Sequence, residues 1–393
     1  MARQEGVNVE KLQGGLGRLA NGTDNHVAII VGGMPAGAVA TAIANAGKGV
    51  VLTSVYEAEQ LGINASFDAN NSLTIYNDIV EFFRLAPEAT LYVYNSIVDA
   101  DIKTFINQNK EIKGYAFGFT YSKVTPNLVT TITAQQLIVN ALAAENRFID
   151  FVILGANELD VFTQDLHELE APNVSVCIAC ETNSKKVALG SILGMKGVRK
   201  VNENIGSVDI QRKPRAKRGT VDYPLTDALL GRWLNAYTTA GVTVDSLAKE
   251  TLTSIIAKGF IVAAGYEGYA GFFFENSYTC TDLTSDFAFI ENNSTWNKAA
   301  RIIRSVLLPR VKGVVKKDPN TGFIATTTAA SWQASVEKGL TVMVADDEIS
   351  AFTVAIDPKQ VVNSTSPVVV QVSVVADGIV HEFNVKLGLT NSI

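Results

Sequence analysis

The residues of this chain that could carry chemistry are few: three histidines, three cysteines, two glycine clusters and an acidic triplet. His26, His167 and His381 lie far apart, in an expected strand, helix and strand. A Ser-His-Asp arrangement could be built on one of them, but no G-x-S-x-G elbow accompanies it. Cys177-x-x-Cys180 has the spacing of a metal or redox pair. Ligating pairs sit on turns where both sulfurs converge. This pair lies in an expected strand, VSVCIAC (174–180), whose residues three apart point to opposite faces. With no second such pair, Cys177, Cys180 and Cys280 read as core residues. Gly32-Gly33-Met34-Pro35-Ala36-Gly37 follows a strand, as a phosphate loop would, yet it lacks both the Lys-Ser/Thr ending and the G-x-G-x-x-G spacing. Gly265, Gly268 and Gly271 read as a bulged hairpin. Asp346, Asp347 and Glu348 form a tip, either a cation site or a solvated turn. No catalytic, cofactor-binding or metal-ligating residue is assigned, and the chain is read as a non-enzyme.

Charge offers two further candidates. Arg212 to Arg218 (RKPRAKR) is a phosphate or partner patch, or a solvated linker interrupted by proline. Lys298, Arg301 and Arg304 recur every third residue, with Ile302, Ile303, Val306 and Leu307 on the other side of the same helix. Such a face is either simply solvated or docks an acidic partner. The net charge of −6 is the wrong sign for a nucleic-acid binder. An odd, small number of cysteines in 393 residues argues against a disulfide framework. MARQEGVNVEKL lacks the plan of a signal peptide. The uncharged stretch Val27 to Gly47 holds Pro35, Thr41 and Asn45 among alanines and glycines, so it reads as a buried strand and a small-residue helix, not a membrane span. With 47% hydrophobic and 18% charged residues, the chain can bury a large core and keep apolar surface for partners.

The elements that would position these residues alternate strand and helix from His26 to about Val201. Expected strands are 26–31, 49–52, 90–94, 115–120, 151–154 and 174–180. Expected helices are 54–63, 72–87, 101–108, 133–146, 158–170 and 185–195. In 72–87 the residues Ile75, Ile79, Phe82 and Phe83 share a face, Ser72 can cap and Pro87 stops. This alternation predicts an α/β fold with a mainly parallel sheet. Beyond the basic run come helices at 225–237 and 245–259, a glycine- and aromatic-rich β segment from 260 to 289, and helices at 294–308 and 326–340. Strands are expected near 341–345, 350–356, 367–375 and 379–389. The expected divisions are an arm and Gly-rich linker (1–25), an α/β portion (26–220), a second α+β domain (221–378) and a terminal strand (379–393).

The last two strands carry register information. Val368, Val370, Val372 and Val374 share one face; Ile379, Phe383, Val385 and Leu387 share one face of the next segment. A type I′ turn at Asp377-Gly378 would pair 372 with 383, 370 with 385 and 368 with 387, apolar against apolar. The pattern suits pairing within one chain or between chains; exchange between chains is the expectation.

Several segments together resemble a known family. IYNDIVEFFRLAPEATLYV (75–93) is similar to the helix–strand signature of phage tail-sheath-like proteins, long known only as a domain of unknown function. GGLGR (14–18), KVALGSILGMKGVRKVNENIGSV (186–208), KGFIVAAGYEGYAGFFFENSYTCTDLTSDFAFIENN (258–293) and KAARIIRSVLLPRV (298–311) follow in that family's order. Asn77 departs from it: many members carry His there, so no role of that His carries over. The resemblance implies a structural subunit, without cofactor, of a contractile injection apparatus. Copies stack as hexameric rings into a helical sleeve around an inner tube protein, with a baseplate and a tail terminator at its ends. It implies a virion tail or tail-like particle assembled in the bacterial cytoplasm, with neither nucleic acid nor membrane insertion. A core domain is assembled from the N-terminal arm and the C-terminal third, with residues 26–220 as an outward insertion. Arms at Val7 and Val9 and at Ile379, Phe383, Val385 and Leu387 exchange strands with neighbours, hinged at Gly14–Gly22 and Asp377–Gly378. Lys298, Arg301 and Arg304 are the candidate tube contact. The alternatives are a nucleotide-binding α/β enzyme with a β appendage and a non-contractile tail or baseplate protein.

Overall fold

A computed structural model describes residues 25–45, 49–118, 127–156, 164–207, 235–267, 271–363 and 366–381, with 383, 385 and 387. The chain divides into two compact units, Met1–Asn293 and Ser294–Ile393.

The first unit is built on the strand β1 (His26–Val31), which is apolar at nearly every position and so can be buried on both faces. After it come α1 (Ala38–Asn45), β2 (Val50–Leu52), α2 (Val55–Gln60), α3 (Ala65–Asn71), α4 (Ile75–Leu85) and β3 (Thr90–Asn95). The alternation continues with α5 (Asp99–Gln108), β4 (Gly114–Gly118), α6 (Leu128–Ala144), β5 (Phe151–Gly155) and β6 (Val174–Cys177). Then follow β7 (Ala179–Cys180), α7 (Leu189–Val198), β8 (Tyr237–Thr238), α8 (Lys249–Ala257) and β9 (Phe260–Ile261). β10 (Ala263–Gly265) and β11 (Phe272–Phe274) form a short antiparallel pair, as expected of the 260–289 segment.

Seven strands make one sheet in the order β2-β3-β1-β4-β5-β6-β9. All neighbours run parallel except β2 against β3. The sheet separates two cores. Val27, Ile29 and Val31 pack toward α1, α4 and α7, while Ala28 and Ile30 pack toward α5, α6 and α8. Ile75, Ile79, Phe82 and Phe83 are buried on α4 as their spacing predicts. Each contributes about 2 kcal/mol of burial.

Local departures have local causes. Asn64 accepts from the Phe67 amide and starts the extra helix α3. Ser72 therefore ends α3, at φ +54°, and α4 starts after Thr74. Of the helix expected over 158–170, the described part holds only a 3-10 turn, Leu166–Glu168, capped by the Asp165 carboxylate. β9 takes the sheet past residue 220, where the α/β portion was expected to end. Phe260 and Ile261 are wholly buried, Gly259 at φ +88° turns the chain out of α8, and Val176 and Cys177 of β6 offer the edge. The basic run 212–218 and most of the helix expected over 225–237 lie outside the described residues, as do Val7, Val9 and the Gly14–Gly22 connector.

The second unit holds most of α9 (Ile290–Leu307), then α10 (Thr326–Ala345), β12 (Ala351–Ala355) and β13 (Gln371–Val375). α10 runs through 341–345, where a strand was expected, because Met343 continues the buried face of Val336 and Leu340. That face packs with Ala299 of α9, Val354 of β12, and Val372 and Val374 of β13.

Candidate assembly surfaces

The residues with chemical potential are spent on structure. His26 Nδ1 lies 3.3 Å from the Tyr92 hydroxyl, and His167 Nδ1 lies 2.9 Å from the Thr281 carbonyl. His381 is exposed in the C-terminal segment. All three cysteines are buried free thiols, and burial pushes the Cys177 thiol up to about 12. In the loop after β1, the Gly32 amide donates to the Gly118 carbonyl and the Met34 amide to Asn95 Oδ1. A phosphate would need such amides unengaged. Glu348 of the acidic tip is buried and pairs with Lys298 at 2.6 Å, so it is not a solvated turn residue. Among the described residues no cluster of His, Cys, Asp or Glu has the arrangement of a metal site.

Three of the five quoted sequence motifs meet inside the first unit. The 75–93 motif supplies α4 and the 186–208 motif supplies α7, and these helices cross in contact. At the crossing a Cβ on Gly190 would collide with the backbone of Asp78. The Gly190 amide donates to Asp78 Oδ1 at 2.8 Å, and the Thr74 hydroxyl to Oδ2 at 3.4 Å. Burial drives the Asp78 pKa well above the carboxylate range, and the nearby Glu181 adds to the rise. Asn77, the position where the sequence departs from the family pattern, donates its amide to Glu181. Thr74, Asn77, Asp78, Glu181 and Lys186 line a polar cleft of about 190 Å³ there. The 258–293 motif joins the same helix pair from another side. Glu291, wholly buried, accepts from Ser277 Oγ at 2.6 Å and from Asn204 Nδ2 at 2.9 Å. Burial raises Glu291, with the Ser277 bond and Lys196 opposing the rise; burial lowers Lys196, with Glu291 opposing. A buried charge kept among this many donors rigidifies a packing arrangement.

What faces outward is concentrated in the second unit. β12 and β13 pair antiparallel, with Phe352 against Val374 and Val354 against Val372. Pairing within the chain, one of the two readings open for 368–375 and 379–389, does not appear among the described residues. Neither Asp377 nor Gly378 has the positive φ a type I′ turn requires. The Asp377 carboxylate instead accepts from the Ser350 hydroxyl at 2.5 Å, and β13 finds its partner in β12. The described residues from 376 to 387 belong to no strand. Phe383, Val385 and Leu387 are 81%, 79% and 91% exposed, while Ile379 is half-buried.

The three basic residues of α9 differ in surroundings. Lys298 is committed to Glu348, Arg301 is half-buried, and Arg304 is exposed. The stretch that follows is the one that sequence periodicity missed. Leu308, Val311 and Val314 are exposed alongside Lys312, Lys316 and Lys317. Its signal is compositional, since no Asp or Glu occurs from 299 to 317.

Family comparison covers the chain almost from end to end. The model for "DUF2586, N-terminal domain" matches residues 4–278, and that for "DUF2586, C-terminal domain" matches 286–393. The chain belongs to the DUF2586 family. The gap between the two matches falls beside the division between the two compact units. Solved structures share this DUF2586 fold at low identity. A chain of the anti-feeding prophage (AFP) baseplate, 6-fold symmetrised, aligns over 99% of this chain and 100% of its own, with a TM-score of 0.58 and 14% identity. A chain of an extracellular contractile injection system, the PVC sheath complex in its contracted state, aligns over 100% and 99%, at 0.60 and 10%. The sheath tail protein of Listeria innocua aligns over 91% and 96%, at 0.51 and 10%. No curated protein sequence matches. The fold is therefore that of tail sheath-like proteins, and no described helix is long and apolar enough to cross a membrane.

Proposed function

We propose that the chain is the structural sheath subunit of a contractile, phage-tail-like injection apparatus. It polymerises as stacked hexameric rings around an inner tube and shortens to drive the tube through a target envelope. The observation that carries this reading is the exposure of Phe383, Val385 and Leu387, alternate apolar residues that lie in no strand among the described residues. They lie just after β12 and β13, which pair as a two-stranded sheet among the described residues. A two-stranded sheet has two open edges, and such edges template strand addition. Main-chain hydrogen bonds to a neighbour supply strength, and the alternate apolar side chains set register. Val7 and Val9 are the proposed N-terminal counterpart. The α/β portion around the seven-stranded sheet, which β9 carries past residue 220, forms the outward insertion, the residues after it through 378 the sheath core and 379–393 the exchanging strand. Arg301 and Arg304 carry the proposed tube contact, with Lys298 holding the helix in place.

The partners are further copies of the chain, the tube protein, a baseplate and a tail terminator. The particle is assembled in the bacterial cytoplasm, without nucleic acid or membrane insertion. Contraction draws on a metastable packing set at assembly, and the engaged amides of Gly32 and Met34 accord with a machine that takes no energy from a nucleotide. The likeness to a baseplate chain favours a second reading, a short non-contractile collar of the same apparatus. Electron microscopy of purified full-length protein separates the two. Long tubes support the sheath, single rings the collar, and a monomer at every concentration refutes both.

A further inference from the structure

Two exposed loops of the chain have matching chemistry and opposite charge. In the second unit, the turn after α9 exposes Leu308, Val311 and Val314, with the cations Lys312, Lys316 and Lys317 around them. Val314 is fully exposed. In the first unit, the loop at the carboxyl end of β3 exposes Ile97 and Val98. Asp99 and Asp101 follow at once in the first turn of α5. The Asp101 carboxylate accepts from Ser96 and Asp99 from Gln135, so both carboxylates are held at the surface in fixed positions. Both loops leave apolar side chains largely uncovered by their own unit, and exposed apolar residues rimmed by charge mark association sites.

We infer that these two loops dock on each other between neighbouring copies: the basic 308–317 loop of one copy meets the acidic 97–101 loop of the next. The inference rests on the polymerising role proposed above. Charge selects the occupant. Ser294–Ile393 carries ten Lys and Arg against eight Asp and Glu, whereas the residues before it carry 23 against 31. A second copy therefore offers a net acidic surface to the basic unit. Because the two loops differ, the contact is head-to-tail. Such contacts propagate through an array without pairing off as closed dimers. Opposite charges steer the encounter, and the apolar residues are covered once the loops meet.

Charge reversal of the full-length protein tests this. Asp99→Lys with Asp101→Lys should raise the critical concentration for polymerisation by about tenfold or more at low salt. Lys312→Glu with Lys316→Glu and Lys317→Glu should do the same. An equimolar mixture of the two variants should polymerise again, because each then offers what the other lacks. A single chain carrying all five changes should also recover. All five positions are exposed, so circular dichroism should match the wild type. The aspartate variants should melt somewhat lower, because Gln135 loses its acceptor and the first turn of α5 its acids, and polymerisation is therefore compared well below the melting transition. Single variants that polymerise like the wild type, or a mixture and five-fold variant that fail to recover, overturn the inference. So does a lysine variant that self-assembles normally but no longer binds co-expressed tube protein, since the loop's partner is then the tube. A wild-type chain that never polymerises refutes the sheath reading itself, a result separate from these.

Discussion

Replacing Gly190 by alanine should destabilise the protein, although the same change on an open helix surface stabilises. In an exposed helix interior, glycine to alanine gains about 1 kcal/mol. At Gly190 the added Cβ meets the main chain of Asp78, which cannot rotate away as a side-chain tip would. α4 and α7 must separate, at an overpacking cost of about 1–3 kcal/mol. Separation also strains the 2.8 Å bond from the Gly190 amide to the Asp78 carboxylate. Loosening a bond to a buried acceptor costs about 1–3 kcal/mol. After subtracting the propensity gain, the net loss is about 1–5 kcal/mol, or roughly 2–8 °C in Tm for a unit of this size. Gly197 lies on the same helix, and its added Cβ would lie 3.3 Å from the Ala86 methyl, 3.6 Å from Phe82 Cε2 and 3.7 Å from the Ala89 methyl, with no main chain in the way. Alanine at Gly197 should therefore change stability by less than about 1 kcal/mol. Differential scanning calorimetry of dilute full-length protein, with near-ultraviolet circular dichroism, reads both variants. A Gly190→Ala protein as stable as the wild type refutes the reasoning, as would equal losses at both positions.

Other consequences follow from the same contacts. The pKa of buried Asp78 is raised on folding, so the stability it contributes is full below the ordinary carboxylate pKa and is lost as pH rises through the raised one. Glu291 shifts in the same direction. Asp78→Asn keeps an acceptor for Gly190, so it should flatten the fall of stability from about pH 4 toward neutrality; an unchanged slope in urea titrations would show that Asp78 is not the titrating group. Breaking the part-buried Lys298–Glu348 pair by Lys298→Ala should cost about 2–3 kcal/mol, whereas Arg304→Ala should fall within about 0.5 kcal/mol on the free subunit. Both are read from denaturant midpoints, and equal costs would contradict the assignment of Lys298 to structure. Deleting 379–393 should leave a soluble protein of unchanged Tm that no longer forms polymers in sedimentation; a lowered Tm would mean that the segment packs on its own chain.

The legible parts of this fold were those with strong periodicity. β1 and α4 came out as their residues dictate, because burial on both faces or on one stripe leaves a clear pattern. The glycines of 186–208 carried information that pattern alone does not decode: Gly190 is required by the backbone of α4, which comes from a segment more than a hundred residues earlier. The alternation of 379–389 left its partner open, because alternation reports a face but not which chain supplies the partner. The same alternation also fits β13 against β12. Lys298, Arg301 and Arg304 look equivalent by spacing, and only the position of Glu348 after α10 separates Lys298 from the others. The 308–317 loop shows no period at all; its only mark is the absence of carboxylates.

Electron microscopy of the concentrated wild-type protein tests the central claim most directly. The account predicts hollow tubes of stacked rings with six-fold end views, whose averaged density contains β12–β13 extended by the 379–387 strand of a neighbouring copy. A protein that stays monomeric at every concentration and salt, or tubes in which residues 379–387 lie unpaired, would contradict it.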